Sequence, residues 1–178
     1  WTDWTITGYS GLEIINGNLN GEDETTINNL GGDTDSWREF LQDETNPDNG
    51  FVVGIGNSDT HDSTFGSPSA YTYCYMGSLL DSNIISALEG GNCITSTGSL
   101  VYFTLDGTII GDKATVPEGI NALDISANSE GFGNLEWLLI YVDEQLRDSI
   151  PLFGTSYSDS VDIDLDTSDD YIRLELYT

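Results

Sequence analysis

Two kinds of hydrophobic spacing divide this chain. Up to about residue 97, short apolar runs alternate with stretches of helical period; from Leu100 onward only period two remains. In the first part, Gly11-Leu-Glu-Ile-Ile-Asn16 is an apolar run closed by Asn-Gly, the pattern of a buried strand ending in a turn. Ser36-Trp-Arg-Glu39 has the form of a capping box, and Trp37, Phe40 and Leu41 then recur at helical spacing. Phe51-Val-Val-Gly-Ile-Gly56 reads as a second buried strand, and the tyrosine-rich, alternating Ala70 to Met76 as a third. Leu79 to Leu88 predicts a helix with Asp81 or Ser82 as N-cap, Ile84, Ile85 and Leu88 as its apolar stripe, and Gly90-Gly91 as its stop. Cys93 to Thr97 is a strand again. This alternation predicts a βα-built sheet or a portion of an α/β barrel over residues 1–97.

Over residues 98–178 the helical period is gone. Val101–Leu105, Ala122–Ala127, Glu136–Val142, Val161–Leu165 and Tyr171–Tyr177 read as short strands joined by Gly, Asp, Asn and Ser turns. Val161, Ile163 and Leu165 alternate with Asp162, Asp164 and Asp166, and Ile172, Leu174 and Leu176 repeat that pattern. Five or six such strands predict a small all-β sandwich of immunoglobulin-like type, with Val161, Ile163 and Leu165 inside and Asp162 and Asp164 in water.

Charge narrows the partners. Of 178 residues, 31 are acidic and four are basic (Arg38, Lys113, Arg147 and Arg173), a formal net charge of −27. Such a surface repels nucleic-acid phosphates and anionic membranes, which recruit clustered Lys and Arg, so neither is expected as a partner. No apolar run approaches the roughly 18 residues that a spanning helix needs. No basic segment followed by an apolar one opens the chain, as in a protein without a secretory signal or in a mature or clipped one. The acidity fits an extracellular or cell-surface setting, or a halophilic cytoplasm, where salt screens self-repulsion. The hydrophobic share of 38% is sufficient for a folded core despite this charge. Cys74 and Cys93 are the only cysteines, and they can be one disulfide or two buried thiols.

The candidate chemistry centres on the single histidine. In Gly54-Ile-Gly-Asn-Ser-Asp-Thr-His61, Asp59 and His61 stand at i and i+2, so an extended backbone turns both toward one cation. Carboxylate with imidazole suits zinc, manganese or iron(II). Three acidic clusters, Asn20 to Glu24, Asp43 to Asn49 and Asp166 to Asp170, have oxygens for calcium, but none follows the EF-hand order and solvated turns explain them. Trp1, Trp4 and Tyr9 could stack a sugar, although such a cluster commonly packs a core.

Several short motifs, in order, carry a family resemblance. They are Gly56-Asn-Ser-Asp-Thr-His61, then Thr64-Phe-Gly-Ser-Pro68, Ala87-Leu-Glu-Gly-Gly91 and Ile94-Thr-Ser-Thr-Gly98. Together they resemble the last third of the PHP (polymerase and histidinol phosphatase) domain of metal-dependent phosphoesterases. Gly11-Leu-Glu-Ile-Ile-Asn-Gly17 is similar to a strand of the CehA-like branch, and Leu105-Asp-Gly-Thr-Ile-Ile-Gly-Asp112 to the start of the β-rich tail found there. The resemblance implies a divalent metal (Zn, Mn or Fe) held by Asp59 and His61, with Asn16 in supporting hydrogen bonds, at the C-terminal end of barrel strands. The chain departs from the family in lacking the N-terminal His-x-His and the later histidines. Two ligands do not close a catalytic site, so this chain alone is expected to be inactive. The implied partner is then the N-terminal half of the barrel, or further copies of the chain. The functional readings are thus a C-terminal fragment of a PHP-type hydrolase and a non-catalytic extracellular structural or assembly module. A calcium-dependent carbohydrate-binding domain also suits the acidity and the sandwich, but not the first 97 residues.

Overall fold

The described strands run from two to ten residues and pair into sheets of two to four strands. A computed structural model describes residues 11–16, 53–57, 70–129, 131–143, 145–167 and 171–178. The chain divides into two units, Trp1–Thr97 and Gly98–Thr178.

In the first unit, β1 (Gly11–Asn16) and β2 (Val53–Asn57) pair in parallel, with an irregularity at Ile14. Next come β3 (Tyr71–Cys74), α1 (Asp81–Glu89) and β4 (Cys93–Ser96). β3 and β4 pair antiparallel, from Tyr71 opposite Ser96 to Cys74 opposite Cys93. That pairing overturns the α/β barrel expected for this half. Strand–helix–strand units of a barrel are crossovers between parallel strands. Here the helix leaves and returns at the same end of the pair, and a Cys74–Cys93 disulfide joins the two strands there. A strand–helix–strand sequence is compatible with either path, which is why its hydrophobic period alone does not distinguish them. The described residues form a strand-rich protein of small sheets with one helix, in place of a βα barrel followed by an immunoglobulin-like domain.

The helix itself departs from its predicted cap and stripe. Leu80, in extended geometry, is the N-cap, and Asp81 lies in the first turn where its charge meets the helix dipole. Asn83 reaches back to Ser78, donating to its hydroxyl at 2.9 Å and to its carbonyl at 3.0 Å. Ala87 is the buried residue, while Ile85 is exposed. Gly90 and Gly91 do end the helix, with Gly91 at a left-handed φ of 72°.

Strand β2 lies against β3 and β4 through threonine side chains. The Gly56 N–H donates to Thr72 Oγ1 at 2.9 Å, and the same hydroxyl donates to the Gly56 carbonyl at 2.8 Å. Thr95 Oγ1 donates to the Gly54 carbonyl at 2.7 Å. A Cβ on Gly56 would stand 2.7 Å from Thr95 Cγ2 and 3.0 Å from the Tyr71 carbonyl oxygen. The glycine preceding Asn57 therefore serves close packing of one strand across two others.

The second unit has seven strands in two antiparallel sheets. One orders β10 (Ser156–Leu165), β7 (Gly119–Asn128), β5 (Leu100–Leu105) and the short β6 (Thr108–Ile109). The other orders β11 (Ile172–Tyr177), β8 (Trp137–Val142) and β9 (Gln145–Pro151). Leu123, Ile125 and Ala127 of β7 form one core with Leu138, Ile140 and Val142 of β8, together with Leu135, Leu152, Ile163 and Leu165. Asp162 and Asp164 are exposed between buried Ile163 and Leu165, as the alternation predicts, while Val161 is half-buried. Glu136–Val142, read as a strand, is β8. The Asp106-Gly107 pair, with φ of 46° and 83°, makes the two-residue turn between β5 and β6 that favours Asp-Gly. Asn121, buried, ties the entry to β7 by donating to the carbonyls of Gly119 (2.7 Å) and Pro117 (3.0 Å).

Two expected outcomes follow from this packing. Gly56→Ala should destabilise the protein by about 1–3 kcal/mol, the usual cost of overpacking, and Thr95→Ser in the same chain should restore part of it. Denaturant midpoints of the two variants measure this, and equal stability of Gly56→Ala and wild type would refute the close approach. The second concerns Tyr157, which packs against the core; burial, then Asp159 and Asp148, raise its phenol above the usual tyrosine range. A raised folded-state value leaves stability intact below the unfolded tyrosine value of about 10 and erodes it as pH climbs from there through the folded value. Tyr157→Phe should therefore flatten the fall in denaturant midpoint above about pH 9.5.

Candidate functional site

The residues expected to bind metal fall outside what can be described. Asp59 and His61 lie beyond the described residues, as does the side chain of Asn16, whose backbone ends β1. The capping box at Ser36, the aromatic cluster at Trp1, Trp4 and Tyr9, and the acidic runs Asn20 to Glu24 and Asp43 to Asn49 lie outside as well. Of the run Asp166 to Asp170, only Asp166 and Thr167 are described. Among the described residues no three His, Cys, Asp or Glu side chains are grouped for one ion.

A different arrangement emerges on the second unit. Strand β8 is apolar on both faces: Leu138, Ile140 and Val142 point into the core, so Trp137, Leu139 and Tyr141 point the other way. Cross-strand register places three rows on that outer face. Tyr177, Trp137 and Pro151 form one, Glu175, Leu139 and Ser149 the next, and Arg173, Tyr141 and Leu146 the third. The third row is offset by a bulge in β9 at Arg147.

Arg173 organises this face. Its guanidinium carbon lies 4.2 Å from the centre of the Tyr141 ring, and the same group is ion-paired to Glu175. The Tyr177 hydroxyl donates to the other Glu175 oxygen at 2.9 Å. Arg173 is only 9% exposed, so the cation is held by a ring face and a carboxylate in place of water. Beside this group the surface is open and apolar: Trp137 is 44% and Leu146 53% exposed. The result is a flat face of rings and aliphatic side chains with one fixed, internally neutralised ion pair. It is suited to contact, with rigid aromatic area and few mobile charges.

Sequence reasoning did not single out these residues. The signal was present in Trp137-Leu-Leu-Ile-Tyr-Val142, which is apolar at every position and so has no polar face. In an antiparallel strand that pattern marks a second face that meets something other than water. Comparison with known protein families, with characterised proteins and with solved structures returns no match for the chain. The described residues define the class as a strand-rich protein of small sheets with a disulfide in one unit.

The Arg173 arrangement should be thermodynamically coupled. Arg173→Met is expected to cost about 1–3 kcal/mol, because it leaves the Glu175 carboxylate half-buried beside two rings. Glu175→Gln should cost clearly less in the Arg173→Met background than in wild type. A double-mutant cycle by urea denaturation reads the difference, and additive effects would show that the pair is not a unit.

Proposed function

We propose that this protein is a non-catalytic extracellular or cell-surface assembly module that makes its contacts through the second unit. The observation carrying this reading is the outer face of β11–β8–β9, where Trp137, Leu139, Tyr141 and Tyr177 present a ring-rich surface around an Arg173–Glu175 pair. Surfaces of this composition, with aromatic residues and Arg enriched and mobile Lys and Glu few, favour protein contacts. The Cys74–Cys93 disulfide supports an oxidising compartment. No helix among the described residues is long and apolar enough to cross a membrane.

The disulfide also contributes locally. Its ends are 19 residues apart, and closing a loop of that size in the unfolded chain is worth about 3 kcal/mol in the chain-entropy account. A module with a small core gains from such a staple when it works outside the cell.

A photoreactive phenylalanine analogue placed at Leu146 in the producing cells tests the assignment. On irradiation it should give a covalent adduct with a secreted or surface protein, identified by mass spectrometry. The same residue at exposed Asp162, on the other sheet, should give none. Only monomer from both positions would sink the assembly reading. In parallel, the purified chain should not turn over a chromogenic phosphodiester with zinc or manganese above the His61→Ala variant. Metal-dependent turnover lost in that variant would replace this reading with a hydrolytic one.

A further inference from the structure

The core of the second unit is fully buried at its centre and half-buried at its margins, where Val161 and Tyr157 of β10 and Ile150 of β9 lie on one side. At its centre Leu123 of β7 and Leu138, Ile140 and Val142 of β8 are between 0% and 1% exposed. Toward β10, Ile163 and Leu165 are buried and Leu152 closes the end of β9. On the opposite side is the seam where β11 lies over β5. Val101, Phe103 and Leu105 of β5 and Ile172, Leu174 and Leu176 of β11 pack against the core, yet all six remain only half-buried. β6 pairs with β5 only at Thr104 and Leu105.

The backbone at this seam is also one-sided. The Asp143 N–H donates to the Tyr171 carbonyl at 3.2 Å, and the register from Ile172 opposite Val142 to Tyr177 opposite Trp137 continues from it. Backbone groups alternate in direction along an antiparallel strand, so those of Arg173, Glu175 and Tyr177 face β8. Those of Ile172, Leu174 and Leu176 face away, and among the described residues no strand pairs with β11 on that side. The same three residues thus offer outward amides and carbonyls in a row and half-covered apolar side chains beneath them. An extended segment lying beside β11 would satisfy both at once, by adding a rung of hydrogen bonds and by filling the gap between the sheets with alternate side chains.

We propose that this seam receives an extended segment of a separate partner protein as an additional strand beside β11. This rests on the assembly reading above and adds to its outer face a second contact, with the chemistry of its partner. The partner segment alternates apolar residues, directed between the sheets, with neutral or basic ones directed outward. Its apolar half follows from the six side chains that line the gap. Its basic half follows from the net charge of −27 that the chain carries. Charge also argues against a second copy as the occupant, since pairing two such chains brings like charge together. The strands described in this unit, moreover, already commit their alternate apolar side chains to its own core.

Amide hydrogen exchange on the full-length, isotope-labelled protein reads the occupant directly. In the free protein the Ile172, Leu174 and Leu176 amides should exchange at least about tenfold faster than those of Arg173 and Glu175, which face β8. A short synthetic peptide alternating Val or Ile with Lys should slow those three by about tenfold, while a scrambled peptide of the same composition should not. Leu174→Pro removes one outward N–H without touching the β8 ladder, and it should abolish the slowing at Ile172 and Leu176. If that variant unfolds, the wild-type comparison between the two peptides decides alone. Three results would overturn the proposal. The outward amides could already be as protected as their neighbours at every concentration, which would mean the chain covers its own edge. Protection could grow with protein concentration and no peptide, which would make a second copy the occupant. The alternating peptide could have no effect. Adducts from Leu146 without any peptide protection would remove the seam as the site while leaving the assembly reading in place.

Discussion

Leu123 on β7 and Leu138 and Val142 on β8 are cut off from water completely, and the second unit depends on that contact. Each of these strands is interior in its sheet, with β10 and β5 flanking β7 and β11 and β9 flanking β8. A side chain at these positions is worth about 1.5–3 kcal/mol on burial, so a few of them dominate the balance of so small a unit. They also fix register. Side chains alternate along a strand, and a slip by one residue in β7 would place Asp124 and Ser126 where Leu123 and Ile125 belong. Everything outside the contact, from the Asp106-Gly107 turn to the Arg173 group, is positioned by strands whose register it holds.

The first unit relies on a different constraint. Its described core residues, Ile14, Val53, Ala70 and Ala87, are few and mostly small. Two covalently linked strand ends and the threonine hydrogen bonds across Gly54 and Gly56 supply order that side-chain volume does not. Tyr71 and Tyr73 of β3 are half-buried with ring centres 5.6 Å apart, and burial, then neighbouring Tyr71, raises the Tyr73 phenol above the usual tyrosine range. Gly54 and Gly56 therefore have a packing function within β2.

How much of this could be read from residues alone varied with the physics behind each signal. Strands with one buried face were legible because their period is two: β7, β10 and β11 are instances, and Asp162 and Asp164 sit in water between buried neighbours. Strand β9 was not, since Gln145 through Ser149 are all exposed and only Ile150 turns partly inward, leaving no alternation to see. The barrel expectation failed for a topological reason. Hydrophobic period reports that β3, α1 and β4 exist, but not whether the chain crosses over or doubles back, and the disulfide that shows the return could equally have been two thiols. The candidate face was hidden by the same rule in reverse. In β8 the apolar residues are continuous, so the sequence does not say which way Trp137 and Tyr141 face, and only the burial of Leu138, Ile140 and Val142 assigns them outward.

The sheet edges of the second unit complete the argument, because exposed edges pair unless something prevents it. Edge strand β9 carries Arg147, Asp148, a bulge and Pro151, and β10 carries Asp159, Asp162 and Asp164, while β6 is two residues long. Each of these is a recognised obstacle to edge-to-edge association. β11 has no proline and no bulge, and its outward backbone belongs to Ile172, Leu174 and Leu176. Among the described residues, β11 is an edge that borders half-buried side chains of the core, and β5 is another from Leu100 to Phe103, beyond the two residues paired with β6. Two independent features, hydrogen-bonding capacity and apolar exposure, coincide at β11. A net charge of −27 opposes the pairing of two copies at such an edge, which is the physical ground for proposing a partner segment of other charge there.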